Sequence, residues 1–273
     1  MIYWYQSAIK FVKNLTTTVK LHAKSMGKNV LITSNEYMAW FPHIILTPYM
    51  DVIYVETNQF LLPPGQTNQV IYKMALASGN YSKHVWVGEW ILWFSNPYYP
   101  SSPPDNVANL IKLKVVEACA SGAQMLVPFG TGYPAEGWPP KRLVEGYERK
   151  EVASYYKFIS QHKNIFNNVK PVSDVAILVS TPTAIWNNIP ALGLTSHNSY
   201  QKEIMKWARI LESMGITYDV LILGMDRIFS TDWAERLGGY KLIIAPELTH
   251  ISPRGLGENR GISTNGWETY CDT

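Results

Sequence analysis

The chain has 273 residues, 47% of them hydrophobic and 16% charged, with 24 Lys and Arg against 21 Asp and Glu. That is enough apolar material for a large core in one or two domains. No basic run exceeds a pair, which excludes the concentrated stripe of a nucleic-acid binder. No segment approaches the ~18 uninterrupted apolar residues of a membrane span.

In chain order, residues 3–25 carry Tyr3, Ile9, Phe11, Val12, Leu15, Val19 and Leu21 at mixed helical spacing and stop near Gly27, which predicts a helix. "KNVLITS" (28–34) and "MDVIYVE" (50–56) read as strands. The second is continuously apolar rather than alternating, as expected for a strand covered on both faces. After a Pro/Gly loop and a helical stretch at 71–76 comes "HVWVGEW" (84–90), a third strand that ends on a carboxylate, Glu89. A long Pro-, Tyr- and Ser-rich loop (94–106) leads to a helix at 107–121, a fourth strand "AQMLVPF" (123–129) and another long loop (130–140).

Strand–helix alternation predicts parallel pairing with right-handed crossovers. The long aromatic loops all follow strands, the asymmetry of a (β/α) barrel at its active face. Four such units are half of the eight that close a barrel. After a helix at 141–162, composition shifts around 164–173. "DVAILVS" then opens a second unit with a helix at Tyr200–Met214, capped by Gly215, and strands at "ITYDVLI" and "YKLIIAPE", a flavodoxin-like α/β order. Residues 253–273 have no apolar period and read as an unpacked tail. The expected division is therefore 1–165, 172–252 and 253–273.

Cys119 and Cys271 form neither a CxxC pair nor a disulfide framework, which suggests a reducing, cytoplasmic setting. The N-terminal "MIYWYQSAIKFVKNL" has no apolar h-region with a cleavage site. The six His lack ligand spacing, so no metal is expected. "STPT" (180–183) is only vaguely like a phosphate-binding turn and contains no Gly, so no flavin or other cofactor is expected.

The order of these motifs resembles the C-terminal part of a family 42 glycoside hydrolase, the β-galactosidase group. "WYQSAIKFVKNLTTTVKLHAKSMGKNVLITSN", "MDVIYVE", "HVWVGEW" and "NLIKLKVVEACASGAQMLVPF" are similar to that family's fifth to eighth barrel strands with their helices. "DVAILVS", "WARILESMGITYDVLILG" and "YKLIIAPELTHIS" are similar to its amidotransferase-like trimerisation domain. The resemblance covers residues 3–252. It implies a partial (β/α)8 TIM barrel, strands 5–8, followed by a class I glutamine amidotransferase-like domain. It also implies retaining hydrolysis of β-galactosides and self-association as in the family's trimers. The family's first four strands, which carry its Asn-Glu pair and acid/base, have no counterpart here. A complementing N-terminal chain is therefore one expected partner beside the carbohydrate itself.

The resemblance puts Glu89 at the nucleophile position. A strand end holds such a carboxylate rigidly, as displacement at an anomeric carbon requires. "SNEY" (34–37) mimics the family's Asn-Glu-Tyr, but three β/α units of roughly 30 residues would separate that acid/base from the nucleophile. Glu36 and Glu89 are only 53 apart (89 − 36). Glu36 therefore falls just past the fifth strand equivalent and is expected to touch substrate at most. Glu56 ends the neighbouring strand and fits a sugar-hydroxyl acceptor or a rim charge. Trp90, Trp93 and Trp138 fit either a stacking wall for sugar faces or core packing. With no acid/base in view, the isolated chain is expected to be nearly inactive on alkyl galactosides. The rival reading is a non-catalytic protein with an assembly or carbohydrate-binding role. Glutamine hydrolysis is not expected, because neither Cys follows a strand of the second unit.

Overall fold

The computed structural model describes residues 2–37, 43–57, 67–89, 107–126, 146–166, 172–187, 199–224 and 237–250. Helix α1 (Ile2–Ser25) buries Tyr5, Ile9, Thr16 and Ala23 along one side and leaves Phe11, Leu15 and Val19 exposed. Strand β1 is Asn35–Tyr37, not the expected 28–34. The shift has a local cause. Ile32 accepts the Asp51 and Val52 N–H groups at 2.8 and 3.4 Å, and its own N–H donates to the Asp51 carboxylate at 2.9 Å. The backbone there is committed to Asp51, and the ladder starts three residues later.

A 3-10 helix (His43–Tyr49), unforeseen in the sequence, connects β1 to β2 (Val52–Thr57). Lys83 secures its end by donating from Nζ to the carbonyls of Thr47, Pro48 and Met50 at 2.7, 3.0 and 2.6 Å. Next come α2 (Gln69–Ser78), β3 (His84–Glu89), α3 (Val107–Ala120), β4 (Gln124–Leu126), α4 (Gly146–Gln161) and the short α5 (Lys163–Phe166). The first sheet runs β1-β2-β3-β4, every pair parallel, as the strand–helix alternation requires. Its helices neighbour one another in the order α1, 3-10, α2, α3, α4, so α1 and α4 flank the two ends.

The second sheet, order β6-β5-β7, is also parallel. It comprises β5 (Val175–Ser180), followed by α6 (Thr181–Asn187) and α7 (Ser199–Ser213), then β6 (Tyr218–Leu223) and β7 (Leu242–Ile244). Gly215 ends α7 at φ +68, where Ile216 N–H returns to the Leu211 carbonyl at 2.9 Å. That left-handed turn favours glycine.

The composition break at 164–173 separates the sheets along the chain, yet the core continues across it. Helix α2 is buried over Val70–Ser78 and packs between the first sheet and β6. A helix apolar nearly all round belongs in such an interior. Residues of both sheets share one hydrophobic cluster, among them Ile53, Val87, Met74, Ile177 and Val220. Side chains from the α2 region also complete the β6 backbone. Tyr81 OH donates to the Val220 carbonyl at 2.9 Å and accepts the Val220 N–H at 3.1 Å, and Lys73 Nζ donates to the Tyr218 carbonyl. Burial lowers the Lys73 pKa, opposed by nearby Asp219 and Glu212.

Candidate active site

Because the first sheet is parallel, the C-terminal ends of its strands share one edge. Ile53, Val55, Thr57, Val85, Val87 and Met125 are buried, on the side where α2 lies. The opposite alternation carries Asn35, Tyr54, Glu56, Trp86, Gly88 and Gln124, matched strand to strand by register. This second set is polar and aromatic and, Gly88 apart, only partly covered or exposed. Trp86 follows the expected alternation, opposite to Val85 and Val87.

Two hydrogen bonds organise that face. Asn35 Nδ2 donates to Glu56 Oε2 at 3.0 Å, and Trp86 Nε1 donates to Gln124 Oε1 at 3.2 Å. Tyr54 lies across Gly88. A Cβ at position 88 would stand 1.9 Å from the Tyr54 hydroxyl and 2.6 Å from Cζ. Glycine is therefore what lets the tyrosine reach toward the strand end. Sequence reasoning missed Tyr54, although a glycine inside a strand signals close approach by another group. Thr57 was missed as well. It is fully buried, its hydroxyl has no hydrogen-bond partner, and it stands level with Glu89 in the register.

Glu89 closes β3 and Glu56 is level with Gly88, one step short of it, so the two positions meet at the same sheet edge. Glu36 occupies the middle of β1, paired with Val55, one register level before Glu56. Trp90, Trp93 and Trp138 lie outside the described residues, as do both long loops and the 253–273 segment.

The corresponding end of β5 is filled from within. Ser180 Oγ and Thr183 Oγ1 both donate to the His250 carbonyl, at 2.6 and 3.0 Å, and Thr183 Oγ1 accepts the His250 N–H at 2.9 Å. Of the "STPT" hydroxyls, those of Ser180 and Thr183 are thus engaged with residue 250, and that of Thr181 donates to the Leu223 carbonyl at 2.8 Å. Cys119 sits on α3, and burial pushes its thiol pKa up, away from a nucleophilic thiolate. Among the described residues no His, Cys, Asp and Glu cluster could hold a metal ion. No described helix is long and apolar enough to cross a membrane.

No known family profile matches the chain, and no curated protein does. Solved structures do. A β-galactosidase from the psychrophilic Marinomonas ef1 superposes with a TM-score of 0.66 over 94% of this chain and 41% of its own, at 14% identity. A cold-adapted β-galactosidase from Rahnella sp. R3 gives 0.56 over 79% of this chain and 32% of its own, at 15% identity. The chain thus spans about two fifths of the first enzyme's length. It is a mixed α/β protein with parallel sheets that shares its fold with part of these β-galactosidases.

Proposed function

We propose that this chain is a glycoside-hydrolase segment: strands equivalent to the second half of a (β/α)8 barrel joined to an amidotransferase-like α/β unit. Its chemistry is retaining hydrolysis of β-galactoside-type bonds, with Glu89 as nucleophile. The observation that supports this most is the superposition of 94% of the chain, both sheets included, on one β-galactosidase. The parallel order β1 to β4, with Glu89 ending the third strand, agrees with it.

The chemistry needs a rigid carboxylate at the strand end and a second, proton-carrying carboxylate about 5 Å away. Strand alternation puts Glu56 in the Tyr54 series and Glu89 in the Val87 series. The nucleophile role therefore requires the pleat to break just beyond Gly88. Tyr54 and Trp86 then supply the aromatic floor, and Asn35 orients Glu56.

The test is slow hydrolysis of an aryl β-galactoside with an activated leaving group, which needs little protonation. Glu89→Gln should abolish the turnover and Glu36→Gln should leave it. Activity surviving in Glu89→Gln would remove Glu89 from the mechanism.

A further inference from the structure

We propose that helix α1 seats the chain on an anionic bilayer surface, a role independent of the hydrolase reading above. Charge is spread unevenly along the chain. Residues 1–35 carry five lysines and no Asp or Glu. The remainder holds 19 Lys and Arg (24 − 5) against all 21 Asp and Glu, so the net +3 of the whole chain arises from this one segment. Such asymmetry, on an amphipathic helix, points to an acidic partner surface.

The fold turns the segment into a stripe. Tyr3, Lys10, Lys13, Thr17, Leu21 and Lys24 follow one another at steps of 7, 3, 4, 4 and 3 residues, the repeat of one helix face. All six are exposed, Tyr3 at 81% and Leu21 at 64%. The buried line of the same helix, Tyr5, Ile9, Thr16 and Ala23, holds it against the core. Gly27, at φ +69, then turns the chain, and Lys28 follows, exposed as well. The stripe lies on the flank of Lys20, whose Nζ meets Asp51 at 2.6 Å just past the 3-10 helix. Leu15 and Val19 stand on the opposite flank and are no part of it.

The occupant follows from what the stripe mixes. A nucleic-acid backbone rewards cations alone. Tyrosine and leucine set between lysines fit the headgroup boundary of a bilayer, where apolar bodies sink toward the acyl layer and ammonium groups meet lipid anions. Helix α7 also exposes Lys202, Lys206 and Arg209, but Glu203 and Glu212 on the same helix offset them. On α1, Asp51 neutralises Lys20 only, which leaves Lys10, Lys13, Lys24 and Lys28 to meet the surface. Each cation near an anionic leaflet is worth roughly a fivefold gain in partitioning, so the four together give roughly 600-fold over an uncharged surface.

The experiment is co-sedimentation of the purified chain with vesicles of phosphatidylcholine alone, or of equal parts phosphatidylcholine and phosphatidylserine. The chain should pellet with the mixed vesicles and stay in solution with the neutral ones. Raising salt from about 0.1 M to about 1 M shortens the screening length from about 10 Å to about 3 Å and should release it. Lys10→Gln with Lys24→Gln should weaken binding about 25-fold, and Leu21→Ser roughly tenfold. Lys202→Gln with Arg209→Gln removes the same charge from α7 and should change binding less than about twofold. Circular dichroism and urea unfolding confirm that each variant is folded. Equal binding to both vesicle types, binding to neither, or equal losses from the α1 and α7 pairs overturns the proposal. So does vesicle binding that Leu21→Ser leaves unchanged. A chain that binds duplex DNA and not vesicles overturns it in favour of a nucleic-acid contact.

Discussion

Replacing Gly88 with alanine probes the one contact that shapes the open sheet face. The added Cβ would stand 1.9 Å from the Tyr54 hydroxyl, 2.6 Å from Cζ and 3.0 Å from Cε2, where ordinary contact begins at 3.4 Å. The deficit is about 1.5 Å, too large for bond-angle give, so the Tyr54 ring must leave its place over the strand. Overpacking of this kind costs about 1–3 kcal/mol. Gly88 is not among the residues with positive φ. The backbone itself therefore accepts alanine, and the whole penalty belongs to Tyr54. In a Tyr54→Ala background the sign should reverse: Gly88→Ala should stabilise by about 0.4–1 kcal/mol, through the reduced freedom of the unfolded chain. Tyr54→Phe should give no such relief, because Cζ remains. Urea unfolding of the single and double variants, extrapolated to water, measures the coupling, expected near 2 kcal/mol. Equal costs for Gly88→Ala with and without Tyr54, within about 0.5 kcal/mol, would refute the reasoning.

Thr57→Val removes a buried hydroxyl that has no partner and should raise stability by about 1 kcal/mol, or about 2 °C in Tm. A loss of that size in calorimetry would mean that the hydroxyl is engaged. Asp51 accepts Lys20 Nζ at 2.6 Å and the Ile32 N–H at 2.9 Å, and these bonds, the Lys20 one foremost, hold its pKa below the ordinary value. A depressed carboxylate contributes stability that is complete above its unfolded pKa, about 4, and lost as pH falls through the folded one. Asp51→Asn should therefore cost about 1 kcal/mol at pH 7, and unfolding curves of the two proteins should converge as pH falls from 7 to below about 4. A difference unchanged over that range would mean that the Asp51 charge is not what stabilises the turn.

The sequence alone determined the alternation of strands and helices, and with it the parallel order of β1 to β4, because continuous apolar runs joined by helices leave few other arrangements. It also placed Glu89 at a strand end and Gly215 at a helix stop, since both depend on residues next to each other in the chain. Only the tertiary structure decided where β1 begins, because an aspartate 19 residues away takes the Ile32 N–H. It also decided that the two sheets share a core, because Lys73 and Tyr81 reach across about 140 residues of sequence to complete β6, a pairing without local periodicity. Tyr54 and Thr57 belong to the same class. What makes each notable, a facing glycine and an unmet hydroxyl, is a relation between strands, and strand register is set by packing rather than by either strand's own residues.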